Sequence, residues 1–472
     1  MKIYRILTGM AVGLAMASCS NYLDVKPYGK VIPTTAEEFS ALLNGDLDAI
    51  DQGNTNYLVP NFIHTGVSLD GEFSDNFEVC LTSNSGSSLN RLRSYVGDAI
   101  SRNNTNDIYS GLYEVVRNCN LVLNEMEERG TEQADKMLAL AYGMRGVSYY
   151  QLMRYFCEAP EAGNMSGQLG LPLVEVFDME ATPARSTLAQ TVTFIENDLK
   201  MALSIHMTDG DYRFTDDVIT GYLCRLYFWT QQWDKALPLA QELLRKYPLI
   251  SGDEYVEMMM TVGPLKGNQM IKAYRASTGT DQATDGALSS LATRPVSVRV
   301  INCYYGDEKN TDVRYNLCFN GKRQAKNKIF CGMRAAEFAL IEAECLYHMN
   351  QPDEALRSIN RLRSNRIAGY TDMKMDEVPA VLSSETISKD ATGAALTPLM
   401  GLILSERRKE LFLEGDRFFE LKRNGAPEFS SFNNGVKYTT RSFMYTFPIP
   451  VREFDITDNL VQNPGYNEVI NI

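Results

Sequence analysis

The chain has 472 residues, of which 44% are hydrophobic and 22% are charged, and this composition is typical of a globular protein rather than a disordered or fibrous one. The formal net charge of −13 disfavours nucleic acid or an anionic lipid surface as the main partner. At this length the chain can bury an ample core in one large domain or in two to three smaller ones.

The amino terminus has the pattern of a bacterial signal peptide. Positive residues precede an apolar stretch over residues 6–16 that is too short to cross a bilayer, and small residues then lead to Cys19. The residues around Cys19 are similar to a lipobox, which implies that the cysteine is acylated and that residues 1–18 are removed. The alternative is an ordinary signal peptide with a cysteine there by chance. We predict a lipidated tether over residues 19–33.

Helical patterning dominates the residues that follow the tether. Thr34 or Thr35 can cap a helix that begins near Ala36, because a hydroxyl at this position accepts from a free backbone N–H. Apolar residues at helical spacing predict further helices. These are residues 109–126, 134–156 and 188–203.

Two later segments have the pattern of tetratricopeptide-type helical hairpins. The first pairs a helix over 219–230 with a helix that begins at Trp233, and Trp229 and Trp233 are expected in the core rather than on a ligand platform. The second pairs residues 334–349 with a helix that Pro352 starts. The two hairpins are far apart in sequence and do not form a tandem array of fixed period.

Three stretches between the helices are irregular. Residues 52–106, 250–330 and 365–398 are rich in Gly, Ser, Thr, Asn and Asp, which is typical of loops. Residues 297–301 have a strand pattern. The sequence therefore predicts a mainly α fold, in which a tetratricopeptide-like helical framework carries an irregular, loop-rich subdomain with short strands. Long loops commonly carry function.

Cysteine and histidine spacing gives no support for a metal site. The chain has nine cysteines, including Cys19, and no C-x-x-C pair. Several lie in helical patterns and are expected to be buried, while Cys303 and Cys318 are the first pair to check for a disulfide. The three histidines are scattered. We expect no metal and no cofactor.

Acidic residues repeat every four positions near the carboxyl terminus. Glu406, Glu410 and Glu414 lie beside several arginines on one predicted helix. A glycosidase needs two carboxylates that face each other across the substrate, whereas acids stacked beside cations on one helix are expected to pair as ions. No nucleophile elbow or phosphate-binding loop is present either. We expect no enzymatic activity.

Several segments, taken in order, resemble the SusD/RagB family of outer-membrane nutrient-binding lipoproteins. The tether after Cys19 has the family's aromatic-Leu-Asp pattern, and the carboxyl-terminal signature at 402–466 is the most specific match. One departure is at 155–160, where the family more often has Gly-Asp before the proline. The segments that carry the resemblance are 19–27, 108–120, 145–155, 334–344, 406–423 and 447–466.

The resemblance implies a single SusD-like domain over 34–472, with helical hairpins near 109–156, 188–245 and 334–365. It implies an outer-membrane protein, lipid-anchored and exposed at the cell surface, that passes a ligand to a partner TonB-dependent transporter of SusC type. The family's usual ligand is an oligosaccharide. A peptide ligand is an alternative within the family, and a surface glycoside hydrolase is a less favoured one.

The irregular segments near 52–106 and 250–330 are expected to face the ligand. Tyr304 and Tyr305 lie in a polar, turn-rich stretch, and a tyrosine ring offers a flat face and a hydroxyl to a sugar. Asn76, Phe77 and Asn104 are possible neighbours, because amides both donate and accept hydrogen bonds. The alternative is that the two tyrosines alternate across a buried strand end.

Overall fold

The structure of the protein is a computed structural model. The residues that it describes are 33–53, 57–78, 104–176, 178, 181–273, 286, 288–289, 291–292, 294–326, 330–433 and 436–466.

Helices make up most of the described structure, which confirms the predicted fold class. The α-helices are α1 (Ala36–Asp51), α2 (Asn104–Glu125), α3 (Glu132–Phe156), α4 (Leu188–Ile205), α5 (Asp216–Trp229), α6 (Trp233–Lys246), α7 (Gly252–Met260), α8 (Val298–Ile301), α9 (Glu308–Thr311), α10 (Val313–Cys318), α11 (Ala335–His348), α12 (Pro352–Ser364), α13 (Pro398–Glu410), α14 (Asp416–Arg423) and α15 (Val451–Ile456). A π-helix spans Ile63–Asp70, and 3₁₀ turns span Gly210–Tyr212, Met375–Glu377 and Ser442–Tyr445.

The strands are short and form three separate antiparallel ribbons of two strands each within the described residues. The pairs are β1 (Leu169–Pro172) with β2 (Arg185–Thr187), β3 (Gln269–Lys272) with β4 (Gly332–Arg334), and β5 (Phe429–Asn433) with β6 (Val436–Thr440). Each ribbon joins segments that leave or enter helices, so the strands connect the helical framework rather than form a layer of their own.

The long helices stack side by side in the order α2, α3, α4, α5, α6, α11 and α12, and α13 packs against α11 and α12. The two predicted hairpins, α5–α6 and α11–α12, are therefore neighbours, although α7 to α10 separate them in the chain. Small buried residues on α6 and α11 let these helices approach closely: Ala236, Ala240, Ala339 and Ala343. We call α2 to α6 with α11 and α12 the helical array.

The start of α1 follows the predicted capping. The Thr35 side chain accepts from the Glu38 backbone N–H, and the Glu38 carboxylate accepts from the Thr35 backbone N–H. This reciprocal capping box satisfies donors that the first turn of a helix leaves free. Of the two candidate caps, the structure selects Thr35.

The prediction of a strand at 297–301 is wrong, because residues 298–301 form a short helix. Ser297 accepts from the Arg299 backbone N–H and begins the short helix α8. A serine hydroxyl that bonds the backbone in this way favours a helix start over a strand, even before a β-branched run. Only Val296, just before this segment, pairs in an extended bridge, with Phe77.

The described cysteines outside the amino terminus are buried and unbridged, including Cys303 and Cys318. They pack as small apolar side chains, as the sequence indicated for those in helical patterns. Cys80 and the whole of residues 1–32, including Cys19, lie outside the described residues. Among the residues that are described, no helix combines the length and the apolar character that a membrane crossing requires.

Candidate functional site

The acidic stripe of α13 lies inside the protein and is neutralised by bases from other elements. Glu410 is fully buried and contacts Arg334 at 2.6 Å, Arg366 at 2.9 Å and Arg314 at 3.1 Å. Glu414 reaches Arg334 at 2.8 Å. The prediction that these acids pair as ions is confirmed, but their partners are mostly bases of other segments rather than the arginines beside them on the helix.

Glu406 continues the same network one turn earlier. Its carboxylate contacts Lys409 at 2.5 Å, Arg314 at 2.8 Å and Arg363. We call the connected set the ionic core, and it has equal numbers of acids and bases. Its members are Glu308, Asp312, Arg314, Arg334, Arg363, Arg366, Glu406, Lys409, Glu410 and Glu414.

The electrostatic surroundings of Glu410 do not suit general-acid chemistry. Burial alone would raise the pKa of Glu410, but the charges of Arg366, Arg334 and Arg314 together lower this pKa well below the usual range. A glycosidase acid needs the opposite shift, so that it holds a proton near neutral pH. Glu410 stays ionised and serves the fold. Arg314 also supports the fold, since it pairs with Asp312, Glu406 and Glu410.

Asn76 and Phe77, two of the predicted ligand contacts, belong to the core. Asn76 accepts from Arg408 Nε at 2.9 Å, next to a buried Asp75 that pairs with Arg408 and Arg417. The Phe77 ring stacks on Phe412 with centroids 6.1 Å apart. Because the Asn76 amide and the Phe77 ring are buried, they offer no surface to a ligand. We therefore leave both residues out of the proposed site.

Tyr304 is also in the core, so the alternative interpretation of this stretch is right about its burial, but the residue lies in a bend after α8 and not at the end of a strand. It is 3% exposed, and its ring meets the Tyr315 ring edge-on at 5.0 Å. Tyr305 is only partly buried, and its hydroxyl donates to Ser405 Oγ at 3.1 Å. Asn104 begins α2, and its side chain is outside the described part. Of the predicted ligand contacts with a described side chain, Tyr305 alone keeps some exposure.

A surface cleft of about 770 Å³ opens beside the amino end of α6. We call it the Trp233 cleft. Its walls come from the segment after α3, the turn at 389–393, the end of α14 and the last 3₁₀ turn. Its lining includes Glu158, Pro160, Glu161, Gln231, Trp233, Lys389, Asp390, Thr392, Lys422, Ser442, Phe443 and Tyr445.

Trp233 and Phe443 give the cleft a partly exposed aromatic lining. The Trp233 indole stacks on the His348 ring with centroids 4.4 Å apart and an angle of 16°, which fixes its orientation. The expectation that both tryptophans belong to the core holds for Trp229, which is 4% exposed. Trp233 packs against the core but stays partly exposed, because this residue stands at the first turn of α6, where the cleft reaches the surface.

Hydrogen bonds hold the walls of the Trp233 cleft in place. The Gln231 amide donates to the Pro160 carbonyl at 3.0 Å and to the Ala391 carbonyl at 2.8 Å. The buried Asp390 carboxylate accepts from the backbone N–H of Thr392 at 2.9 Å. The cleft is thus preformed, with aromatic faces inside and charged and hydroxyl side chains on its rim, an arrangement suited to a neutral polar ligand.

A second cleft of about 470 Å³ lies between α2 and α15. Tyr109 and Tyr113 form part of its wall, with ring centroids 4.7 Å apart. Ile456 at its rim is 70% exposed. Exposed charged side chains also stand at the rim, those of Glu114, Arg117 and Arg452. We call it the Tyr113 cleft.

Neither cleft contains a candidate metal centre. Within the ranges that the structure describes, no three His, Cys, Asp or Glu side chains come together in a way that could hold a metal ion. The sequence offered little signal for the Trp233 cleft, since its lining comes from six separate segments. The Gly- and Thr-rich composition of 365–398 predicted a loop there, and this loop forms only one wall of the cleft.

Two family models match the chain. The model described as the SusD family matches residues 302–466, and the model described as "Starch-binding associating with outer membrane" matches residues 21–228. A SusD-like protein of Formosa agariphila is 36% identical over 104 residues, which are 22% of this chain and 18% of that protein. The chain therefore spans less than a fifth of the curated relative it matches.

Solved structures resemble the whole fold. A SusD superfamily protein from Bacteroides thetaiotaomicron aligns with a TM-score of 0.68 at 19% identity, over 91% of this chain and 100% of that one. A putative sugar binding protein from Bacteroides vulgatus aligns with a TM-score of 0.67 at 18% identity, over 93% of this chain and 100% of that one. At these identities the likeness establishes the shared fold.

Proposed function

The chain belongs to the SusD/RagB family, and from that premise we propose that it is a cell-surface binding protein for an oligosaccharide and has no hydrolytic activity. The observation that carries the proposal is the pair of family matches at both ends of one chain, one of them to a model named for starch binding. The neutralised acids of the ionic core support a binding role rather than a catalytic one.

We place the glycan in the Trp233 cleft. An aromatic face packs against the C–H surface of a sugar ring, and the surrounding amide, hydroxyl and charged groups can bond its hydroxyls. The volume of about 770 Å³ lies in the range of small-molecule sites and admits an oligosaccharide segment. Tyr305 remains a secondary candidate from the irregular side.

Identification of the ligand comes first, with a glycan array run beside a peptide-binding screen. Binding of glycans but not peptides supports the proposal, and the reverse result favours the peptide alternative. For a glycan that binds, incubation followed by product analysis tests for hydrolysis. Turnover that a single carboxylate substitution abolishes would replace the proposal with an enzyme.

The site is then tested by calorimetry with the identified glycan. Trp233→Ala should weaken binding by about tenfold or more, since it removes the aromatic face. Ile456→Ala, at the rim of the Tyr113 cleft, is the matched control and should bind as the unmodified protein does. Unchanged affinity in a folded Trp233→Ala variant places the site elsewhere, and Tyr305→Ala is the next variant.

The lipid anchor and the partner transporter are further parts of the proposal. Mass spectrometry of the first peptide from the native protein should find an acylated Cys19, and an unmodified Cys19 contradicts the anchor. Purification in mild detergent should recover a TonB-dependent outer-membrane transporter of SusC type with the protein. A purification that recovers no such transporter counts against the delivery role.

A further inference from the structure

A small polar cavity lies in the interior, between α3, α5, α13 and α14. Its volume is about 80 Å³, and a single water needs roughly 10–15 Å³ by the same measure. There is thus room for several waters or for an ion with part of its shell. We call it the central cavity. It shares one lining residue, Arg423, with the Trp233 cleft and contains neither Trp233 nor Tyr305.

Residues that border the central cavity leave buried N–H groups without a hydrogen-bond partner. These groups are Arg154 Nε, Trp229 Nε1, Arg407 Nη1 and Arg423 Nη1. Trp229, Arg407 and Arg423 are each more than nine-tenths buried. An unsatisfied buried donor costs on the order of 1–3 kcal/mol, so several around one void indicate a ligand that accepts hydrogen bonds.

Four arginines and four carboxylates line this cavity, and each carboxylate pairs with an arginine: Glu337, Glu414, Asp416 and Glu420. Arg407 contacts Asp416 at 2.7 Å and Glu420 at 3.1 Å. Arg423 contacts the same Glu420 at 2.7 Å and also reaches Glu344 at 2.6 Å. Glu420 therefore serves two guanidinium groups, and burial raises its pKa although both arginines oppose the shift.

Arg154 has no acidic partner at all among the residues that the structure describes. Its guanidinium lies 3.6 Å above the centroid of the Phe419 ring and 5.5 Å from that of Trp229, and the side chain makes no hydrogen bond or ion pair. A cation–π contact orients an arginine but leaves its full charge in place. The central cavity thus has one guanidinium group, that of Arg154, that no described carboxylate contacts.

The chemistry of the unsatisfied atoms separates an anion from water. Against four unpartnered donors, the cavity lining offers one unpartnered buried acceptor, Gln151 Oε1. Each water brings two donors of its own and needs acceptors for them, whereas a small anion only accepts. We propose that the central cavity binds a small inorganic anion, a halide or an oxyanion, which ties α3 to α13 and α14 through Arg154, Arg407 and Arg423.

The first experiment measures unfolding of the whole mature protein at constant ionic strength in sodium chloride, nitrate, phosphate or gluconate. Gluconate is too large for the cavity. The melting temperature should rise with the logarithm of the concentration of the anion that binds. A rise with chloride identifies a halide, and a rise with only nitrate or phosphate identifies an oxyanion. Equal melting in all four salts overturns the proposal.

Two further measurements locate the effect. Arg154→Met should abolish the anion-dependent rise, while Arg117→Met, at an exposed arginine of α2, should retain it. If Arg154→Met does not fold, crystals of the unmodified protein grown in sodium bromide decide the matter for a halide, and crystals grown in phosphate or nitrate for an oxyanion. Anomalous bromide density or oxyanion density in the cavity supports the proposal. Density for water alone under these conditions overturns it.

Discussion

The ionic core and the helical array pack directly against each other, since α13 contacts α11 and α12, but different interactions stabilise them. In the helical array, apolar and small side chains fill the space between helices. In the ionic core, fully buried acids and bases do so, and each needs its partners in place. A buried apolar side chain tolerates a neighbour of similar shape, whereas a buried charge tolerates only a complementary charge.

The largest expected effect comes from removing one charge of the ionic core. Glu410→Gln keeps the shape of the side chain but leaves Arg314, Arg334 and Arg366 short of a counter-charge. We expect a loss of about 3–5 kcal/mol in the free energy of unfolding in urea. Glu354→Gln breaks an exposed pair with Arg357 and should cost at most about 1 kcal/mol. Equal losses in the two variants would contradict the contrast.

A substitution in the helical array should behave differently. Leu362 is fully buried in α12, and Leu362→Ala should cost about 2–5 kcal/mol because it leaves a cavity. Leu362→Met keeps the volume and should cost less than about 1.5 kcal/mol. The comparison with Glu410→Gln is the informative one, since both replacements conserve shape. A Leu362→Met variant as unstable as Glu410→Gln would remove the distinction between the two regions.

Acid should affect the π-helix before it affects the buried ion pairs. Burial lowers the pKa of His64 to about 4 from 6.5. The unfolded state therefore binds the proton first, and stability from this group is lost as the pH falls from 6.5 to 4. Burial alone would raise the pKa of Glu344, but Arg423, through its charge and a hydrogen bond of 2.6 Å, lowers it to about 2. Its contribution is lost only between pH 4.5 and 2.

Urea unfolding of His64→Gln and the unmodified protein at several pH values tests this order. The variant should show a smaller loss of stability between pH 6.5 and 4, and a similar loss below pH 4. Comparison with the unmodified protein is needed because Asp46 titrates in the same range. Burial raises the pKa of Asp46 to about 6, so this group adds stability as the pH falls, whereas His64 removes it. Parallel pH profiles for the two proteins would refute the role of His64.

The smallest effect is expected at the exposed start of α1. Thr35→Ala removes the side-chain acceptor of the capping box and should cost about 1 kcal/mol of unfolding free energy. Thr35→Ser keeps the acceptor and is the matched control. A loss as large as that of Glu410→Gln would mean that local capping matters as much as the buried charges, and the ranking of the two regions would have to be revised.

The sequence by itself determined the helical array and its caps. The start of α1, the length of α3 and the two hairpins follow from a period of 3.6 residues and from local signals at helix ends, and these depend on neighbours in the chain. It also determined that the acids of α13 pair with bases, since their spacing and neighbours already indicated ion pairs. The lipid on Cys19 and the partner transporter stay predictions.

Only the tertiary structure decided which charges are buried and which aromatic rings reach the surface. Glu410 pairs with Arg314, Arg334 and Arg366, which lie on three other segments. The residue spacing within α13 cannot predict partners that come from elsewhere in the chain. Likewise Tyr304 is buried because the rings of Tyr315 and Phe319 pack against it, whereas Trp233 is partly exposed because it borders a cleft. Burial of a side chain depends on segments that are distant in the chain, and a local sequence pattern does not predict which of them will pack there.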